Sequence, residues 1–74
     1  MQIVSVIEMC DTSGVSCRSF SKDNAGRAEE IFFRMARENG FKDEQIEIAL
    51  EDGYIECGNY CLYIVWGTLD EQTI

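Results

Sequence analysis

The stretch KDEQIEIALEDG, residues 42–53, decides the fold of this chain. Ile46, Ile48 and Leu50 alternate as they would along a strand, whereas Ile46, Ala49 and Leu50 make a short helical face. The helix is the better reading. Asp43 is a good cap, residues 44–51 are mostly helix formers, and Gly53 supplies a stop.

Upstream, SKDNAGRAEEIFFRMARENG (residues 21–40) places Ala25, Ala28, Phe32, Met35, Ala36 and Asn39 at helical spacing, with Ile31 beside them. Ser21 or Asp23 suits the start, and Gly40 suits the left-handed position just past the end. Downstream, YIECGNYCLYIVW (residues 54–66) reads as two strands around the tight turn Gly58-Asn59. That turn pairs Cys57 with Tyr60 and Glu56 with Cys61. Ile55, Cys57, Tyr60, Leu62, Ile64 and Trp66 then line one face, and Tyr54, Glu56, Cys61, Tyr63 and Val65 the other.

At the N-terminus, QIVSVIEM carries apolar residues on both faces, as a central strand does. DTSG is a turn signal and VSCRSF alternates after it, which predicts a hairpin. The expectation is a single α+β domain over 1–74, in the order ββααββ, with antiparallel hairpins in one sheet, a long helix on a face and a frayed tail at 67–74. Ile31, Phe32, Met35, Leu62 and Ile64 are the expected core. A chain of 74 residues is at most one domain, of marginal stability.

Residues 10–19, CDTSGVSCRS, admit two sharper readings. Apolar strand, Cys10, a glycine-containing loop, Arg18 and a following helix resemble the opening of low-molecular-weight tyrosine phosphatases. In that family a thiolate and an arginine with five residues between them cradle phosphate. Here seven residues lie between Cys10 and Arg18, and the residue at the required spacing from Cys17 is Asp23, an acid. The hairpin turn is the reading kept, and no enzyme activity is expected.

The second sharper reading is a four-cysteine zinc module. Six residues separate Cys10 from Cys17 and three separate Cys57 from Cys61, so only the second pair has zinc-knuckle spacing. The hairpin register sends Cys57 and Cys61 to opposite faces. Reduced, packed thiols are expected, with no metal and no cofactor. The chain has no histidine, which removes the commonest general base and neutral metal ligand. MQIVSVIE has no basic lead-in before Glu8, and no stretch approaches the roughly 20 apolar residues of a membrane span. Together these point to a cytoplasmic protein.

Charge is the remaining signal. The net charge is −8, and residues 1–42 contribute none of it, their six acids balancing all six bases. Residues 43–74 hold eight acids and no base. Nucleic acid and anionic membranes are therefore unsuited as direct partners. On a helix over 43–52, Glu44, Glu47 and Glu51 stack at three- and four-residue spacing with Asp43 beside them, at a cost of a few tenths of a kcal/mol per pair. Asp43, Glu44, Glu47, Glu51, Asp52 and Glu56 form the candidate partner-binding surface, complementary to a basic protein.

In size, acidity and α/β layout the chain resembles the small phage-encoded inhibitors of bacterial defence, the anti-CRISPR type, whose members often occlude or mimic nucleic acid. The resemblance implies an inhibitor that docks on a basic, nucleic-acid-handling protein. The alternatives are a non-catalytic structural or accessory phage protein acting as a homo-oligomer, and the zinc module above.

Overall fold

The computed structural model of the protein describes residues 2–12 and 14–68, and the tail beyond Thr68 lies outside them. Two hairpins flank two helices. Strands β1 (Gln2–Cys10) and β2 (Gly14–Ser21) lead through a 3-10 turn (Lys22–Asn24) into α1 (Ala25–Glu38). Helix α2 (Asp43–Asp52) follows, then β3 (Tyr54–Cys57) and β4 (Tyr60–Thr68). The order is ββααββ, as the periodicities predict. All pairings are antiparallel in one sheet of order β2-β1-β4-β3, so the doubly apolar β1 is central.

Both helices pack on the same face of the sheet. There Val4 and Val6 of β1 and Leu62 and Ile64 of β4 meet Ala28, Ile31, Phe32 and Ala36 of α1 and Ile46 and Ala49 of α2, all buried. Burying a side chain such as Phe32 contributes about 1.5–3 kcal/mol. Met35, an expected core residue, is only partly buried and packs against this cluster from outside. Ala28 and Ala36 hold the inner positions instead, because small side chains let α1 approach the sheet.

Glycines end both helices. After α1, Gly40 takes φ 91°, its N–H donates to the Arg37 carbonyl, and the Phe41 N–H donates to the Ala36 carbonyl. This closes the helix with two carbonyls satisfied. After α2, Gly53 takes φ 89°, and its carbonyl accepts the Ile64 N–H at 2.8 Å, which ties the end of the helix to β4.

The starts of the helices differ from expectation. Asn24 holds the N-cap position of α1, because Ser21 and Asp23 are drawn into the 3-10 turn ahead of it. Lys42 precedes α2, where its backbone N–H donates to Gln45 Oε1 at 2.9 Å, and Asp43 is the first helical residue. Strand β4 runs on to Thr68, two residues into the segment expected to fray, because Gly67 and Thr68 pair with Ile3 and Gln2. Among the described residues no helix is long and apolar enough to cross a membrane.

Candidate functional site

The helical reading of 43–52 brings the acids together. Glu44, Glu47 and Glu51 project from the exposed side of α2 and enclose Ile48, which is 63% exposed, in a depression of about 340 Å³. Ile46 and Ala49 face the core, so the helix has no room to turn Ile48 inward. Ile48 also borders a second cleft, of about 270 Å³, lined by Phe41, Gln45, Ala49, Asp52, Tyr54, Ile55 and Glu56. Five of the six predicted site residues therefore border two adjoining depressions at the α2/β3 edge. Ile48 is common to both.

Asp43 is the exception. Arg37 Nε and Nη2 donate to its Oδ1 at 3.2 and 3.1 Å, and Nη2 donates to Oδ2 at 3.0 Å. The Arg37 guanidinium also sits 4.8 Å above the Phe33 ring. Asp43 is thereby turned toward α1 and partly neutralised, so it contributes least to the acidic edge. Glu56 keeps the predicted pairing with Cys61, whose Sγ lies 3.8 Å from its Oε2.

Sequence reasoning passed over two apolar members of this edge. Tyr54 is 47% exposed beside Asp52 and Glu56, and Ile48 stands among the glutamates. Their signal was legible, since Ile48 falls off the Ile46–Ala49–Leu50 face. Desolvated apolar anchors inside a charged rim are what carries affinity in protein interfaces.

The opposite edge is basic. Arg18 of β2 and Arg27 and Arg34 of α1 line a cleft of about 240 Å³ with Glu30 and Ile31. The pair Arg37–Asp43 is the one ion pair among the described residues, so these three arginines are not neutralised by contact. Strands β2 and β3 are the two edges of the sheet, and the molecule is polarised across its width.

The thiols divide between the two faces of the sheet. Cys10 and Cys57 flank Tyr60 on the helix side, while Cys17 and Cys61 lie on the other side. Among the described residues no three potential ligands are gathered to hold a metal ion. Cys10 and Arg18 are also far from forming a phosphate loop. Arg18 pairs with Val6, four residues along β1 from Cys10, a separation of about 13 Å along the strand.

Among the described residues Tyr60 is the one strongly perturbed group. Its hydroxyl donates to Glu8 Oε2 at 2.7 Å, and burial first, then this bond, pushes its pKa far above the ordinary value. Tyr63 is raised as well, chiefly by the neighbouring Cys61. These shifts keep both phenols protonated and create no base.

The fold and this edge define a two-layer α+β domain with a polarised surface. Comparison of the chain with protein-family models, with curated proteins and with solved structures finds no match.

Proposed function

We propose that the protein is a small binding protein of inhibitor type, which docks its α2/β3 edge into a basic groove of a nucleic-acid-handling partner. The observation that carries this reading is Ile48, held 63% exposed inside the ring of Glu44, Glu47 and Glu51. A purely solubilising surface tolerates a single exposed isoleucine but gains nothing from it. A docking surface does, because the carboxylates steer and orient while the apolar side chain supplies the desolvated contact. The polarity of the molecule supports the same approach, with the acidic edge leading and Arg18, Arg27 and Arg34 trailing.

On this reading the protein acts by occlusion and not by turnover, in the manner of phage-encoded anti-defence proteins of the anti-CRISPR type. The test is a parallel capture from cell extract with the tagged chain and with its Glu44→Lys, Glu47→Lys, Glu51→Lys variant. The proposal expects a basic protein bound by the parent alone and displaced by added nucleic acid. Recovery of the same proteins by both, undisturbed by nucleic acid, contradicts it.

A further inference from the structure

The sheet has a second face that none of the described residues covers. Alternation along the strands places Ile3, Ile7, Met9, Val15, Tyr63 and Val65 there, and none of them is buried. An antiparallel sheet with one solvated face ordinarily alternates apolar with polar residues. On central β1 this alternation is lost, because Ser5 is the one polar residue among the four on that face. A contiguous apolar surface on so small a domain marks an interface.

We propose that this face is a homodimer interface, with two copies of the chain stacked sheet against sheet. Charge selects the occupant. Among the described residues Glu56, on edge strand β3, is the one charged side chain of this face. Two chains of net charge −8 repel one another, and this face, whose one carboxylate lies on an edge strand, lets them meet without opposing carboxylates.

Self-complementarity points the same way. A two-fold axis in the interface plane, parallel to the strands and midway between β1 and β4, lays β1 over the partner copy's β4 and β2 over its β3. Residues in one lateral row then exchange places. Cys17, Ile7, Tyr63 and Tyr54 form such a row, so Tyr54 falls over the small Cys17 and Ile7 meets Tyr63 at the centre. In the neighbouring rows Val65 falls over Ser5 and Gly67 over Ile3, again large against small. Interdigitation of this kind is what a packed interface needs.

The area stands at the threshold of a weak dimer. Strands of nine, eight, nine and four residues, about 4.8 Å apart with about 3.3 Å per residue, give roughly 475 Å² per copy, or about 950 Å² in all. That is near the lower bound for a specific interface, so a reversible dimer in the micromolar range is expected.

The experiment is sedimentation equilibrium of the untagged protein from about 5 to 500 µM, where the mass should rise from 8.4 kDa toward twice that value. Ile7→Glu, at the centre of the face, should hold the single-chain mass throughout with an unchanged circular dichroism spectrum. Val65→Glu serves the same purpose at a position already 46% exposed, where folding is less at risk. Alkylation gives an internal control that needs no variant. Cys17 lies on the open face and Cys57 on the other, both exposed. Over the same concentration range Cys17 should react several-fold more slowly as the dimer forms, while Cys57 keeps its rate. Added salt should strengthen this dimer by screening like charges, the reverse of its effect on docking at the acidic edge, so the two proposals fail separately. A constant mass of 8.4 kDa, or a dimer that survives Val65→Glu with Cys17 still reactive, overturns the inference.

Discussion

Arg37 on the last turn of α1 holds Asp43 on the first turn of α2, with Nη2 3.0 Å from Oδ2. This pair closes the helix–helix junction and divides the six acids into one that is structural and five that are available. Both side chains are about 60% exposed, so the bond contributes at most about 1 kcal/mol.

The division predicts a contrast between two conservative variants. Asp43→Asn should lower the urea midpoint slightly and leave partner affinity within about twofold, because its carboxylate already has a cation. Glu47→Gln should leave the midpoint unchanged and weaken binding severalfold, since it removes one of three charges around Ile48. Urea titration and calorimetric affinity on the two variants check this. Equal losses of affinity would show that Asp43 belongs to the binding surface after all.

Ile48 separates docking from solubility. Replacing it with serine should change folding stability by less than about 0.5 kcal/mol, as the residue is exposed. Affinity for the partner should fall about tenfold or more if the side chain is the buried anchor. An Ile48→Ser variant that binds as tightly as the parent would leave the ring of glutamates without a centre.

The Tyr60–Glu8 bond joins the hairpin of β3 and β4 to central β1, and Tyr60→Phe should cost about 1 kcal/mol at neutral pH. It also carries a pH dependence of known sign. The folded phenol keeps its proton at a pH where the unfolded one, with a pKa of about 10, has lost it. The contribution is therefore complete below about pH 10 and declines as pH rises above that value. Urea midpoints between about pH 8 and 11 should fall less steeply for Tyr60→Phe than for the parent. Parallel curves would remove Tyr60 from the account.

Local chemistry made much of this molecule readable. The Gly58-Asn59 turn set the β3–β4 register, Gly40 and Gly53 marked helix ends, and the spacing of Glu44, Glu47 and Glu51 put three acids on one side of α2. What stayed hidden depends on how separate elements are brought together. Arg37 and Asp43 are six residues apart, but only the turn between α1 and α2 makes them partners, and Arg18 meets Arg27 and Arg34 only because β2 pairs beside β1 under α1. The end of β4 is hidden for the same reason. Gly67 and Thr68 look like a loose tail until β1, more than sixty residues earlier, supplies their pairing. Met35 shows the limit of periodicity, which finds the inward side of a helix but not how far each position sinks.

The central claim is that the α2/β3 edge binds a basic partner through its charge. Its most direct measurement is the affinity of the captured partner for the parent and for the Glu44→Lys, Glu47→Lys, Glu51→Lys variant, across a salt series from about 50 to 500 mM. The account predicts that the parent binds more weakly as salt rises, and that the variant, still folded, binds about 100-fold more weakly at low salt because three attractions become repulsions. Equal affinities for the two proteins, flat with salt, would contradict it.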